Sequence, residues 1–338
     1  MRSQAIYGCS GPVLTEPERD FFSEARPWGF ILFSRNILDS DQIRRLTDSL
    51  RATVDDDRAP ILIDQEGGPV VRLRPPLGKK RFGARRFGEL SAQSPAEAGI
   101  AAYLNARLIA HELAALGISV NCTPVLDLPC EGASAIIGDR AFGSDTATII
   151  RLGRAVIEGL LEGGITPVMK HIPGHGRATV DSHLNLPRVF CPAEELSATD
   201  FVTFRSLNHC PMAMTAHVVY EAFDSIRPAT TSPKVIRDVI RGEIGFDGLL
   251  LSDDISMGAL SGPISARTKA ALFAGCDIVL HCNGDLDEMA SVATEAGPLE
   301  GISLKRAEQS MLHVVESGEF DPGSGQRRLD ELMGEPGD

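Results

Sequence analysis

Short apolar, β-branched runs recur along this chain, and the stretches between them place apolar residues every three or four positions. Eight such runs stand out, at residues 5–9, 29–33, 59–63, 118–125, 165–169, 211–215, 248–251 and 276–281. The intervening patterns at 94–116, 146–162, 232–244 and 264–274 are rich in Ala, Leu and Arg and predict helices. Two of them open with Ser-Pro, at Ser94-Pro95 and Ser232-Pro233, a cap residue followed by the proline that suits a first helical turn. Strand-then-helix repetition predicts a parallel sheet with helical crossovers. Eight units in about 300 residues fit a closed ring better than an open doubly wound sheet. The expected fold is therefore α/β, a single (β/α)8 TIM barrel over residues 1–300. Residues 301–338 are expected to supply a C-terminal helix near 304–316 and a Gly- and Pro-rich tail, packed on the barrel or trailing from it. No linker or shift in composition marks a second domain.

The polar residues follow the strands. The third run ends in Asp64-Gln65-Glu66-Gly67-Gly68, the fifth in Lys170-His171-Ile172-Pro173-Gly174-His175-Gly176, the sixth in Ala216-His217 and the seventh in Ser252-Asp253-Asp254. Asp127 follows the fourth run less clearly. Barrel enzymes carry their chemistry at the C-terminal ends of the strands, so four strands aim ionisable groups into one mouth. Residues 170–187, KHIPGHGRATVDSHLNLP, are the densest constellation, and a loop of that length without its own secondary structure is uncommon unless it has a function.

Composition narrows the classes. A hydrophobic content of 43% supports a large core, and a net charge of −13 disfavours a nucleic-acid or anionic-membrane partner. No leader pattern and no apolar run of membrane-spanning length is seen, which predicts a cytoplasmic protein. The seven cysteines are odd in number and contain no CxxC pair, so reduced, structural thiols are expected.

KHIPGHG followed by DSHLNLP, with DQEGG before and SDDISM after, resembles the glycoside hydrolase family 3 β-N-acetylglucosaminidases (β-hexosaminidases) of bacterial peptidoglycan recycling. ILFSRN (31–36), IGDRAF (137–142), MTAHV (214–218) and AGCDIVLHC (274–282) extend the resemblance over nearly the whole chain in the same order. Eight motifs in order carry far more weight than any one.

The resemblance implies a retaining exo-β-N-acetylglucosaminidase acting on β-1,4-linked N-acetylglucosamine in fragments that end in 1,6-anhydro-N-acetylmuramic acid, with or without peptide. It carries the nucleophile to Asp253 and the acid/base role to His183, partnered by Asp181. A carboxylate suits attack on an oxocarbenium-like centre, and neighbouring strand residues face opposite ways, which separates Asp253 from its rival Asp254. A carboxylate beside an imidazole orients the ring and keeps proton exchange feasible near neutrality. Sugar binding is carried to Asp64, Arg72, Arg140, Lys170 and His171. The family often has a basic residue after the double glycine, whereas this chain has Pro69, which leaves the geometry of that turn open. The expectation includes no cofactor, no metal, a small carbohydrate substrate as the partner, and a monomer.

Taken singly, Asp253 and His183 also suit a solvated loop, and only the joint motif set favours catalysis. His175 and His217 are equally suited to bracing loops and stay outside the catalytic set. Cys282 and His281 are assigned to packing over lining the pocket floor, and Trp28, ahead of the second strand, to structure over sugar stacking. Two rival functions remain. His171, His175, His217 and Asp253 are ligand types for a metal-dependent barrel hydrolase. A non-catalytic sugar-binding barrel is the other, since fold and function separate.

Overall fold

The computed structural model describes residues 1–130, 132, 137–182, 184–312 and 320–334. Its strands are β1 (Ser3–Gly8), β2 (Pro27–Leu32), β3 (Ile61–Ile63), β4 (Val120–Asn121), β5 (Thr166–Ile172), β6 (Arg188–Val189), β7 (Met212–Thr215), β8 (Val219–Tyr220), β9 (Leu249–Asp254) and β10 (Ile278–His281). Eight of them form a closed parallel barrel in the order β1-β10-β9-β7-β5-β4-β3-β2, and β6 pairs with β8 as a separate parallel ribbon. Every one of the eight apolar runs is a barrel strand, so the expected (β/α)8 TIM barrel is the fold. The fourth is shorter than its run because Pro124 has no N–H to give the ladder. Its carbonyl still accepts from the amide of Lys170 at 3.0 Å.

Helices Pro95–Ala114, Thr146–Glu162, Val235–Glu243 and Ile264–Ala274 occupy the four predicted stretches. The Ser232 hydroxyl caps the third by accepting from the amide of Val235 at 3.2 Å, whereas Ser94 makes no side-chain cap bond. The C-terminal region departs from a simple tail. Helix Gly301–Ser310 is followed by a second, Pro322–Met333, packed against Pro95–Ala114. Asp321 caps it through the amides of Gly323 and Ser324, Leu329 is buried, and Arg107 lies 4.6 Å from the centre of the Phe320 ring. Gly and Pro here mark a helix start.

Period-two alternation divides the core. Leu249 and Leu251 point into the barrel with Ile31, Leu62, Val168 and Leu280, while Leu250, Ile63 and Met169 pack outward against the helices. Continued past the strand ends, the inward face of β9 reaches Asp253 and that of β3 reaches Asp64 and Glu66. In β5 the inward face reaches Lys170, and the β5–β7 register shifts between Lys170 and Ile172, so His171 also meets the interior.

Candidate active site

The C-terminal ends of the strands open on a cavity of about 350 Å³. Its wall holds Asp64 and Glu66 after β3, Lys170 and His171 from β5, Asp253 and Asp254 from β9, and Arg72, Arg140, His175 and Ser182 from the loops. Ile31, Phe33, Met214, Met257, Leu280 and Cys282 supply its apolar surface.

Five of these side chains form one alternating chain of charge. Arg72 Nη2 donates to Asp64 Oδ2 at 3.0 Å, and Lys170 Nζ lies 2.9 Å from Asp64 Oδ1 and 2.7 Å from Glu66 Oε1. Arg140 closes the chain with a two-pronged contact to Glu66, at 2.9 and 2.8 Å. Burial alone would raise both carboxyls, but Lys170 with Arg72 holds Asp64 well below the usual carboxylate range, and Lys170 with Arg140 lowers Glu66. Burial would likewise lower Lys170, yet Asp64 and Glu66 push it upward, so it stays charged. The residues between are anchors. Gln65 is fully buried, and its side-chain oxygen accepts from the amides of Arg72 and Leu73 at 2.8 and 3.0 Å. This bond pins Arg72 in place. Gly67 and Gly68 adopt positive φ of 98° and 57°, a conformation in which a Cβ is costly. Pro69 sits exposed in a turn closed by the amides of Glu66 and Gly67 donating to Val70 O, so its missing N–H costs no bond.

Asp253 occupies the opposite side of the chemistry. Among the described residues its one hydrogen bond is from the amide of Asp254 to Oδ1 at 2.8 Å, which leaves Oδ2 uncommitted. Burial would raise its pKa, but His217, His171, the Asp254 amide and Lys170 outweigh that and hold it below the usual range. The carboxylate is therefore ionised and free to react. Asp254 is spent on architecture, with Oδ1 accepting from the amides of Ser256 and Cys282 at 3.0 and 3.2 Å and Oδ2 from the Ser256 hydroxyl at 2.7 Å. His217 is fully buried and bonded at both ring nitrogens, to Thr230 Oγ1 at 2.7 Å and Asp254 O at 2.9 Å. It braces the end of β9.

Asp127, fully buried after β4, organises the start of the long loop. It accepts from the amides of His171 and His175 at 3.1 and 2.6 Å and pairs with His171 Nδ1 at 2.7 Å. Burial opposes its ionisation, but His171 and His175 bring its pKa down to about 2. With Nδ1 committed, His171 presents Nε2 as its remaining polar atom. Gly176 is irreplaceable sterically, since a Cβ there would lie 2.0 Å from Leu128 O. Further on, Tyr220 OH donates to Gly174 O at 2.6 Å and the β6–β8 ribbon clamps the loop's exit. Asp181 is half-buried, with its carbonyl accepting from the amides of Leu184 and Asn185 at 3.0 and 2.8 Å. His183, the expected acid/base, lies outside the described residues.

The structure thus brings Asp64, Arg72, Arg140, Lys170, His171 and Asp253 to one cavity. Sequence reasoning left out Glu66 and Asp127 as site residues. Glu66 was findable, because two residues after Asp64 is the same face of a strand. Asp127 was noted after the fourth run, but its role was not legible, because its bonds to His171 and His175 depend on how β4 meets β5. Cys282 lines the cavity wall, not only the packing assigned to it, whereas buried His281 faces away and contacts Glu288 at 3.0 Å. Trp28 packs among the barrel's inner residues and, with Pro60 and Ser119, lines a hollow that does not include the catalytic-face residues. The four residues weighed as a metal set are drawn into separate hydrogen bonds. Among the described residues no three His, Cys, Asp or Glu side chains are grouped to hold a metal ion.

Comparison with known proteins points the same way. The model of the glycosyl hydrolase family 3 N-terminal domain matches residues 18–316. A β-hexosaminidase of Alkalilimnicola ehrlichii is 43% identical over 287 residues, which is 82% of this chain and 80% of that protein. NagZ from Neisseria gonorrhoeae superposes with a TM-score of 0.88 at 31% identity, covering 98% of each chain. The same protein in complex with N-trifluoroacetyl-D-glucosamine gives a TM-score of 0.87 at 32% identity, again over 98% of each chain.

Proposed function

Because this chain belongs to glycosyl hydrolase family 3, we infer that it is a β-N-acetylhexosaminidase that removes terminal N-acetylglucosamine with retention, through a covalent intermediate on Asp253. The observation that carries the reading is the state of Asp253: ionised, facing the cavity on the inner face of β9, with Oδ2 uncommitted. A cavity of about 350 Å³ lies at the small end of ligand sites, which suits one terminal sugar ring.

In the first half-reaction the Asp253 carboxylate attacks the anomeric carbon while the glycosidic C–O bond breaks and a proton passes to the leaving oxygen. His183 supplies that proton, with Asp181 orienting its ring. In the second half-reaction His183 takes a proton from water as the water's oxygen attacks the anomeric carbon and frees Asp253. What supports a histidine here is the fate of the described carboxylates at the cavity. Asp64 and Glu66 are held ionised by Lys170, Arg72 and Arg140, Asp127 is held ionised by His171, and Asp254 is bonded through both oxygens. Asp64, Glu66 and Asp127 are thereby kept deprotonated, and Asp254 is committed to holding its loop.

Asp64, Arg72, Arg140, Lys170 and His171 hold the sugar. An ionised carboxylate has about four lone-pair sites and an ammonium three hydrogens, so Asp64 and Lys170 keep capacity for hydroxyls beyond their mutual bond. Arg72 Nε is buried without a hydrogen-bond partner among the described residues.

The reading extends to fragments in which N-acetylglucosamine is β-1,4-linked to 1,6-anhydro-N-acetylmuramic acid, to the cytoplasm and to a monomer. Among the described residues no helix is long and apolar enough to cross a membrane, and all seven cysteines are free thiols. Wild type and Asp253→Ala would be compared on that disaccharide with a chelator present. Rapid release of β-N-acetylglucosamine by wild type alone is expected; equal release by both, or release that stops with the chelator, rejects the reading.

A further inference from the structure

Ser182 is a buried polar residue in the middle of an exposed turn. It is 4% exposed, whereas Leu184, two residues on, is 71% exposed. Core packing does not account for this, because both polar ends of Ser182 are bonded. Its hydroxyl lies 3.1 Å from Nε2 of buried His175, and its carbonyl accepts from the amide of Ala259 at 3.1 Å. The first bond leads to β5 and the second to the loop that follows Asp253 on β9. His175 is itself fixed from behind, since its amide donates to Asp127 at 2.6 Å. A continuous path therefore runs from Asp127 through His175 to Ser182, and from Ser182 across to the loop that follows the strand carrying Asp253.

We propose that the Ser182–His175 hydrogen bond is a latch that sets the flanking residues Asp181 and His183 for proton transfer, which makes Ser182 and His175 positioning residues. The inference rests on the reading of Asp181 and His183 as the proton-transfer pair. The geometry also gives His175 its limits. One ring nitrogen meets Ser182 and the other, Nδ1, is buried with no hydrogen-bond partner among the described residues, so neither nitrogen is offered to the cavity as the proton donor. Burial, then the neighbouring His171, lowers its pKa to about 4, and the latch stays a neutral hydrogen bond at working pH. The segment is then held without a second charge competing with the acid. A displacement of about 1 Å in a proton donor is enough to cost two orders of magnitude in rate.

The test is kcat/KM across a series of aryl N-acetyl-β-glucosaminides, from phenyl to 2,4-dinitrophenyl, for wild type, Ser182→Ala, Ser182→Thr and His183→Ala. Ser182→Ala should lose at least about tenfold on phenyl and under about threefold on 2,4-dinitrophenyl, because only poor leaving groups need the proton. Its inhibition by N-acetylglucosamine should be unchanged, and Ser182→Thr, which keeps the hydroxyl, should recover the phenyl rate. His183→Ala should show the same leaving-group dependence more steeply. A uniform loss, or none, in Ser182→Ala beside a steep His183→Ala overturns the latch alone. A flat His183→Ala series overturns the proton-transfer reading and the latch with it.

Discussion

Removing Glu66 should damage both stability and turnover, although the residue sits outside the set carried over by resemblance. The Glu66 side chain is 6% exposed, accepts two hydrogen bonds from Arg140 at 2.9 and 2.8 Å, and forms an ion pair with Lys170 at 2.7 Å. Glu66→Ala leaves Lys170, 3% exposed, with only Asp64, which already serves Arg72, and strips Arg140, 13% exposed, of its ion-pair partner among the described residues. Breaking a buried ion pair from one side costs about 3–5 kcal/mol. The cavity lets water reach the orphaned cations, which places the loss near the lower figure, about 3 kcal/mol. Lys170 and Arg140 would also lose the partner that aims them at the sugar, so kcat/KM should fall by about tenfold to a hundredfold. Glu66→Gln should recover little. One amide oxygen replaces two charged acceptors, and its NH2 would face a guanidinium or an ammonium. Urea unfolding gives the stability and release of 4-nitrophenol from its N-acetyl-β-glucosaminide gives the rate. A Glu66→Ala protein within about 1 kcal/mol of wild type and within about threefold in kcat/KM would refute the reasoning, because neither the ion-pair cost nor the positioning role would then exist.

Acid should weaken the protein in two stages. The pKa of His175 is lowered from 6.5 to about 4 by burial and then by His171, so the unfolded chain binds the extra proton first and stability falls as pH drops through that window. The loss is of the order of 3 kcal/mol by pH 4, and His175→Gln should flatten the stability profile between pH 6.5 and 4 in chemical denaturation. Below pH 4 the depressed carboxyls of Asp64, Glu66, Asp127 and Asp253 take over, since the stability they give is lost as pH falls through their folded values. A profile flat from pH 6.5 to 4 in wild type contradicts a neutral His175. Asp254→Ala should cost about 2 kcal/mol, because it strips two amides and one hydroxyl of their acceptor, yet it should retain labelling of Asp253 by a slow substrate. Loss of labelling with an unchanged urea midpoint would move the nucleophile to Asp254.

The barrel was legible in the chain because all eight of its strands are apolar runs, four of them plainly ended by ionisable residues, and because side-chain direction alternates with fixed period. That alternation alone puts Asp253 with Leu249 and Leu251 and sends Asp254 the other way. Helix Pro322–Met333 was hidden by its own first turn, where Pro322, Gly323 and Gly325 read as a tail and the capping of Asp321 depends on geometry. The charge chain from Arg72 to Arg140 was legible only in part. Its members lie up to 106 positions apart, as Asp64 and Lys170 do, and periodicity is silent on which carboxylate a distant lysine meets. Asp127 and Ser182 show the same limit more sharply. Each is an ordinary polar residue in sequence, and each gains its role from elements that meet only in the closed ring.

The most direct test of the central claim is intact-protein and peptide mass spectrometry after incubation with a fluorinated N-acetylglucosaminyl donor that forms the glycosyl-enzyme faster than water releases it. A single added N-acetylglucosaminyl-type mass on Asp253, absent in Asp253→Asn, is the expected result. A label on another residue, or turnover with inversion and no label, contradicts a covalent intermediate at Asp253.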